Sequence, residues 1–405
     1  MRRVVITGMG IWSCIGQDLQ TVTESLKQGR SGIICDTERK EIGFQCLLHG
    51  NVPVPDLSPF VPRKFRKRMS PDAQYSYMAV KDAFENAHID ENYRLHNEIG
   101  IIWGNDCNTS VVESARILAE ECDTSMLGPY ALFKNSTSSV SMNLSSLFRL
   151  RGISLSVASA CASSSHAIGF GRMMIKEGLQ NMIVVGGSCE VTVYQNAPID
   201  ALNACSLHND APQSASRPFD KKADGMVPSG GAAALVLEEY DHAVARGATI
   251  LAEVVGYGFS SNGQDSVSLS SEEAEYIAIK RAIEDAGMYP LDIDYVNAHG
   301  TSTSYGDRAE AAAYIKLFGN HKPWISSTKS MTGHENWMAG ASEAVYSILM
   351  MQNGFVAPNI NLENVIDEAK DLNIVRETVY TSINTVLSNS SGMGGTNSAI
   401  VFKKY

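Results

Sequence analysis

Strand-like apolar runs alternate with helical patterns from one end of the 405-residue chain to the other. The apolar runs have the length and composition of strands, and they occupy 2–10, 98–105, 153–160, 181–188, 233–239, 250–258, 294–300, 323–330 and 397–404. Helices are predicted where apolar residues recur at three- and four-residue spacing, over 71–88, 161–177, 271–287, 306–318 and 337–353. This alternation predicts a layered α/β protein.

Two pairs of segments repeat loosely between the halves of the chain. "SLSVASAC" and "PWISSTKSMTGH" both read as strands that lead into serine-rich residues, and "MIVVGGSCE" and "TVLSNSSGMGG" both read as strands that end in glycines. The pattern alone leaves duplication and coincidence equally open. Because one core stops growing at about 250–300 residues, we expect two units. They cover 1–240 and 241–405, with the boundary near "LEEYDHAVARGATI".

Composition excludes several classes of function. The net charge of −11 argues against broad binding of nucleic acid or anionic membranes, because both need an excess of Lys and Arg. The sequence contains no run of about 18 apolar residues, so it predicts no membrane-inserted helix. The N-terminal apolar run ends too early for a signal peptide. The eight cysteines are scattered without a C-x-x-C pair, so we expect reduced thiols in the cytoplasm.

The first strand ends in "ITGMGIWSCIG", which superficially matches a dinucleotide-binding loop. Such a loop needs a third glycine three residues after the second, and that position is Ser13. Close backbone packing explains Gly8 and Gly10 better.

Cys161 lies in "SVASACASSSHAIGFG" (156–171), where a predicted strand leads into a helix. A thiol in the first helical turn faces unpaired N–H groups that stabilise a thiolate. Small neighbours leave room for a substrate and for a sharp turn. A buried structural cysteine is the alternative, so the case depends on the residues that could join it.

Two histidines lie in small, polar loops after predicted strands. His299 is in "NAHGTSTSYGD", and His334 is in "STKSMTGHENWMAGASE" between Lys329 and Glu343. Together with Cys161 they favour a nucleophile with imidazole partners. A catalytic zinc site would be expected to show a closer ligand pair such as H-E-x-x-H, so no metal site is predicted.

The C-terminal segment "SNSSGMGGTNS" (388–398) contains Gly392, Gly394 and Gly395. Glycines there allow a backbone N–H to approach a reacting oxygen, so an oxyanion hole shared with the N–H of Cys161 is one interpretation. A hairpin before the last strand explains the glycines equally well.

The segments of the first strand, of Cys161, of the two histidines and of the C-terminal glycines resemble those of the β-ketoacyl-acyl carrier protein synthases. With "SRPFDKKADGMVPSGGAAALVLEEYDHAVARGA" (216–248), the resemblance covers nearly the whole chain. The resemblance implies the thiolase fold, in which two αβαβα halves form five layers, and a homodimer. It also implies decarboxylative condensation of malonyl-carrier protein with a cysteine-bound acyl chain. The resemblance implies that no cofactor is bound, because the substrates of the family are carried on the 4′-phosphopantetheine of acyl carrier protein.

The resemblance also implies roles for individual residues. Cys161 is the nucleophile, and His299 and His334 bind the malonyl thioester and stabilise the enolate that decarboxylation creates. Lys329, with Glu343 as its partner, orients and charge-balances the His334 side.

Further roles concern the substrate arm and the oxyanion. Thr301 and Thr303 would hydrogen-bond to pantetheine, and Asn397 would contribute to substrate binding. The backbone N–H groups of Met393 and of the nucleophile would form the oxyanion hole, supported by Gly394.

Carrier docking is implied for the basic segment "RKFRKR", which consists of Arg63, Lys64, Phe65, Arg66, Lys67 and Arg68. Acyl carrier protein is acidic, so an acidic enzyme needs a local basic surface. A solvated helix start is the alternative.

The chain departs from the family pattern near the nucleophile. The family usually has Phe at the positions of Ser391 and Met393, and the segment 103–110 is more polar here. These departures leave fatty acid, aryl polyene and polyketide biosynthesis open. A subunit of a ketosynthase heterodimer, including a chain-length factor, is the alternative assembly. A degradative thiolase would need a second cysteine in the C-terminal glycine segment, which has none.

Overall fold

A ten-stranded sheet takes five strands from each half of the protein in the computed structural model, which describes residues 2–264 and 266–405. The strands within this range are β1 (Val4–Trp12), β2 (Ile33–Cys35), β3 (Leu48–Gly50), β4 (Gly100–Gly104), β5 (Ser154–Val157), β6 (Met182–Cys189), β7 (Gly231–Glu239), β8 (Ala252–Ser261), β9 (Tyr295–Asn297), β10 (Trp324–Ser326), β11 (Phe355–Val356), β12 (Val379–Tyr380), β13 (Thr385–Gly392) and β14 (Thr396–Lys403).

Helices of very different length connect these strands. Within the described residues they are α1 (Leu19–Gln28), α2 (Arg63–Arg66), α3 (Pro71–Asn86), α4 (Glu91–His96), α5 (Ser110–Glu121), α6 (Ala131–Asn135), α7 (Ser139–Phe148), α8 (Ser163–Lys176), α9 (Val193–Ala201), α10 (Tyr240–Ala245), α11 (Glu272–Asp285), α12 (Ser304–Phe318), α13 (Lys329–Thr332) and α14 (Ala339–Asn353). No helix in the described part of the chain combines the length and the apolar character needed to cross a membrane.

The strand order shows that the chain is an internal duplication. From one edge to the other the order is β5-β4-β6-β7-β1-β8-β14-β13-β9-β10. Counted outward from the centre, β1, β7, β6, β4 and β5 of the first half hold the same places as β8, β14, β13, β9 and β10 of the second half. In each half the two outer pairs are parallel and the remaining pairs are antiparallel. The loose sequence repeat pairs β5 with β10 and β6 with β13, which hold equivalent places, and the predicted duplication is confirmed.

Helices form three layers around the two halves of the sheet. α8 and α14 contact each other and both halves, α3 packs on β1 and β7, and α11 packs on β8 and β14. The result is five alternating layers in which α8 and α14 are central. Helix α10 joins β7 to β8 in the segment where the sequence predicts the boundary between units.

Glycines in the first strand of each half let an outer helix approach the sheet closely. A Cβ on Gly10 would lie 2.0 Å from the carbonyl oxygen of Ala79 in α3, and Gly8 is similarly crowded. In the second half, a Cβ on Gly258 would lie 2.1 Å from the carbonyl oxygen of Ala278 in α11. The predicted close backbone packing at Gly8 and Gly10 is therefore confirmed, and the duplication extends to this contact.

Several predicted elements end earlier than their apolar runs. β5 ends at Val157, β9 at Asn297 and β10 at Ser326, because the chain leaves the sheet there and enters the loops that carry polar residues. Helix α5 was not predicted, and none of its residues is buried, so its apolar side chains Val111, Val112 and Leu118 lie exposed at the surface.

Substituting Gly10 by alanine is expected to destabilise the protein by about 3 kcal/mol, because the backbone of α3 cannot move aside without disturbing the core. Gly247→Ala is the control, since its Cβ meets no atom within 4 Å and only the left-handed backbone, with φ +70°, opposes it. Denaturant unfolding measures both losses. Equal losses for the two variants would contradict the packing argument.

Candidate active site

Cys161 lies in a strained turn between β5 and α8. Residues Ala160–Ala162 form a short 3₁₀ turn, and α8 begins at Ser163, so the thiol precedes the helix rather than lying in its first turn as predicted. Ala160 has φ +45°, which is unusual for a residue with a side chain. Such strain is often found at functional sites. Here it presents the partly exposed Cys161 at the positive end of a central helix.

His334 reaches the thiol from the other half of the chain. Its Nε2 lies 3.1 Å from the Cys161 Sγ. The main chain of His334 is held by Val227 and Ser229 through hydrogen bonds of 2.7 and 2.8 Å. Its Nδ1 accepts a hydrogen bond of 3.3 Å from the N–H of Asn336, so the neutral ring carries its proton on Nε2 and directs it toward the sulfur.

The duplication explains how these two residues meet. Cys161 follows β5 and precedes α8, and His334 follows β10 and precedes α14. Because the strands are equivalent and the two helices are the central pair, both side chains lie at equivalent ends of one layer. His334 follows a strand as predicted, and the short helix α13 lies between that strand and the histidine.

His299 completes the group. Its ring lies 5.3 Å from that of His334, centre to centre, at 85°. The N–H groups of His299 and Gly300 each donate a 2.7 Å hydrogen bond to the carboxylate of Glu310. This carboxylate fixes the loop after β9 and therefore the position of the ring.

Lys329 and Glu343 form a buried ion pair beside the histidines, and each side chain is only 1% exposed. Burial raises the pKa of Glu343 to about 7, against the opposing effect of Lys329. Burial also lowers the pKa of both histidines well below the usual value, and the Lys329 charge lowers these pKa values further. Both rings are therefore neutral at physiological pH, so they can donate hydrogen bonds without carrying charge.

The Cys161 thiol is protonated at neutral pH in the resting protein. Burial raises its pKa to about 11, although Lys329 and the N–H groups of Met393 and Cys161 act in the opposite direction. The two N–H groups that face the sulfur are those from which the sequence predicts an oxyanion hole. Their position lets them stabilise negative charge that develops beside the sulfur.

The glycine segment forms a hairpin and also approaches the nucleophile. β13 pairs with β14 up to Gly392 opposite Thr396. A Cβ on Gly392 would lie 3.2 Å from the backbone nitrogen of Cys161, and Gly394 has φ +83°. The two interpretations of the glycines are therefore compatible, since the turn of the hairpin carries Met393 to the sulfur.

A pocket of about 370 Å³ opens onto these groups. It is lined by residues from both halves, including Cys161, Asn262, Glu275, His299, Thr301, Thr303, His334, Ser391, Met393 and Asn397. The hydroxyls of Thr301 and Thr303 lie 2.8 Å apart. The amide of Asn397 donates a 2.9 Å hydrogen bond to Asn262, so it ties two segments of the wall together.

The basic segment 63–68 is not part of this pocket wall. It forms α2 and the residues after it, with Arg63, Lys64 and Lys67 exposed. Arg68 donates a 2.8 Å hydrogen bond to Ser146.

A third histidine, His166, lies in the segment of the nucleophile and has a structural role. The His166 ring lies 2.6 Å from the Tyr257 hydroxyl and 3.0 Å from that of Thr396. Burial lowers its pKa to about 4, so it is a neutral part of the packing between α8 and the second half.

Sequence reasoning missed two carboxyl groups of the site. Glu310 lies in α12 and anchors the loop of His299, while Glu275 lies in α11 and lines the pocket at 2% exposure. Nothing in their sequence context separates them from solvated helix acids. Only the packing of α11 and α12 against the loop after β9 brings them into the site.

Known sequences match this chain over its full length. The family descriptions "Beta-ketoacyl synthase, N-terminal domain" and "Beta-ketoacyl synthase, C-terminal domain" match residues 1–243 and 251–363. The chain is 41% identical to 3-oxoacyl-[acyl-carrier-protein] synthase 1 of Haemophilus influenzae, with 100% of both chains covered. It is 34% identical to 3-oxoacyl-[acyl-carrier-protein] synthase 2 of Vibrio cholerae, with 100% of this chain and 99% of the relative covered.

Solved structures agree. A β-ketoacyl synthase from Burkholderia phymatum superimposes with a TM-score of 0.95 at 34% identity, with 100% of both chains covered. A ketosynthase in complex with its type II polyketide acyl-carrier protein gives a TM-score of 0.89 at 25% identity, also over 100% of both chains. These likenesses and the duplicated five-layer architecture confirm the predicted thiolase fold. The chain belongs to the β-ketoacyl synthase family.

Proposed function

We propose that this protein is a β-ketoacyl-acyl carrier protein synthase of fatty acid biosynthesis, an acyltransferase that extends a carrier-bound acyl chain by decarboxylative condensation. One observation carries the proposal. A thiol and an imidazole from opposite halves of the chain lie 3.1 Å apart in a pocket that also contains the second imidazole.

In the first step the Cys161 sulfur attacks the thioester carbonyl of the acyl-phosphopantetheine. A bond forms between Sγ and the acyl carbon, the bond from that carbon to the pantetheine sulfur breaks, and the thiol proton passes to the leaving sulfur. The N–H groups of Cys161 and Met393 stabilise the tetrahedral oxyanion. Lys329 favours the developing thiolate because it lowers the Cys161 pKa against the larger effect of burial.

In the second step a malonyl thioester loses carbon dioxide beside the two imidazoles. The electron pair of the broken carbon–carbon bond becomes an enolate, and the rings of His299 and His334 stabilise its oxygen. The enolate carbon then attacks the acyl carbonyl and displaces the Cys161 sulfur, which regains a proton. Neutral rings suit this task, since they stabilise the enolate without protonating its carbon.

The carrier-bound substrates define the partners. The pantetheine arm would enter through the pocket past Thr301 and Thr303, whose hydroxyls face its amide groups. The exposed cations Arg63, Lys64 and Lys67 would bind the acidic carrier, supported by Arg66 and Arg68. All eight cysteines are free thiols, which suits a cytoplasmic location.

A homodimer is part of the proposal. β5 is the outer strand of the first half, so its free edge can pair with a second copy. Exposed apolar side chains lie along this edge and on α8 next to it, namely Leu155, Phe170 and Met173. A second copy would cover both the strand edge and these side chains. The presence of Cys161 and both histidines disfavours the chain-length-factor alternative, which shapes a tunnel without catalysing condensation.

Cys161→Ala is expected to abolish covalent acylation by acyl-carrier protein, because the acceptor atom is lost. Intact-mass spectrometry measures the adduct, and circular dichroism checks the fold. Cys122→Ala is the control because this exposed cysteine lies outside the pocket wall. Acylation that persists in Cys161→Ala would reject the proposed nucleophile.

Lys329→Met is expected to slow alkylation of Cys161 by iodoacetamide at pH 8 about tenfold. Lys329 lowers the Cys161 pKa, so removing its charge raises that pKa and reduces the thiolate fraction. Glu343 would become neutral, since burial already raises its pKa to about 7. In both proteins the rate should rise with pH up to the thiol pKa. Exposed Lys322→Met is the control, and an unchanged rate in Lys329→Met would argue against this role.

Reversing Lys64 and Lys67 to Glu is expected to raise the KM for carrier protein about tenfold at low ionic strength, with kcat little changed. The effect should shrink as salt screens the charges. Lys403 and Lys404 reversed to Glu are the matched control, because they make the same charge change at the exposed C-terminus. Similar KM changes in both double variants would mean that net charge, not a docking surface, is responsible.

A further inference from the structure

One wall of the pocket carries a carboxyl group that the proposed reaction does not use. Glu275 lies in the first turn of α11 and is 2% exposed, yet it lines the pocket that contains Cys161. Its Oε2 has no hydrogen-bond partner among the described residues. Buried polar atoms are almost always paired, so an unpaired one in a side chain that lines a pocket indicates a place for a ligand atom.

Glu275 is not needed to stabilise its helix. The Ser271 side chain caps α11 by accepting a hydrogen bond from the N–H of Ala274. The exposed acids Glu272 and Glu273 already supply negative charge to the first turn. A third carboxyl group, turned into the protein, therefore calls for another explanation.

The surroundings keep Glu275 neutral. Burial raises its pKa well above the usual value, and the nearby Glu310 and Asp307 raise the pKa further, while the Ser391 side chain opposes this. The Glu310 carboxylate is already engaged, because it accepts hydrogen bonds from the N–H groups of His299 and Gly300 and from the side chains of Tyr314 and Asn389. A protonated carboxyl group offers one O–H donor and one acceptor.

Ser391 links this carboxyl to the reacting centre. It precedes Gly392 at the end of β13, and Gly392 approaches the backbone nitrogen of Cys161. Glu275 and Ser391 therefore both line the pocket next to the loop that carries Met393. An apolar acyl chain would leave this pair without a partner.

We propose that Glu275 is a specificity-determining residue that hydrogen-bonds to a carbonyl or hydroxyl oxygen of the carrier-bound substrate. This inference rests on the proposed function. The oxygen belongs either to the acyl chain, as in a 3-hydroxyacyl group, or to an amide of the pantetheine arm.

The test compares Glu275→Val and Glu275→Gln on two substrates, a 3-hydroxyacyl and a saturated acyl chain of equal length on the same carrier. If the oxygen is on the acyl chain, Glu275→Val lowers the ratio of the two kcat/KM values at least tenfold. If it is on the pantetheine arm, Glu275→Val lowers both kcat/KM values at least tenfold and leaves the ratio unchanged. In either case Glu275→Gln, which keeps a neutral donor and acceptor, stays within threefold of the wild type.

A stability measurement separates recognition from a structural role. Glu275→Val removes a buried unpaired carboxyl group, so its denaturant midpoint should rise, whereas a structural residue would lower it on removal. Exposed Glu272→Gln is the control for both measurements. Kinetics of Glu275→Val that match the wild type, or a lowered midpoint together with equal losses in Glu275→Gln, would overturn the inference. Failure of the proposed function would appear instead in the wild type, as absence of an acyl adduct on Cys161.

Discussion

The contact between the Cys161 thiol and the His334 imidazole is the interaction on which the rest of the site depends, because it joins the two halves of the chain. It requires α8 and α14 to lie side by side in the central layer. Small residues allow that approach, since a Cβ on Gly340 would lie 2.7 Å from the backbone nitrogen of Ser165. A larger side chain at this point would separate the two helices and the reacting groups with them.

A single buried cation acts on every reacting group at this contact. Lys329 is neutralised by Glu343, yet it still lowers the pKa values of His299, His334 and Cys161. The charge thus adds to the effect of burial that keeps the imidazoles neutral, and it opposes the effect of burial that keeps the thiol protonated. Placing these groups in a buried pocket strengthens each effect, because little water is present to screen the charge.

Much of the architecture could be predicted from sequence because strands and helices carry their own periodicity. The nine apolar runs all contain strands, and the five helical patterns all contain helices. Some short helices were missed although they carry such a pattern, as with α1, which buries Val22 and Leu26, and α5, which buries no side chain. The start of α8 was placed too early because the left-handed turn at Ala160 leaves no mark in a run of small residues.

The sequence by itself determined the layered α/β class and the chemistry that a cysteine and two histidines in small polar loops can perform. These properties are local, since each depends on residue type and near spacing. Only the tertiary structure decided that Glu310 anchors the His299 loop and that Glu275 faces the pocket while its neighbours Glu272 and Glu273 face solvent. The physical reason is that burial, and with it the charge state of a carboxyl group, depends on which elements pack against it.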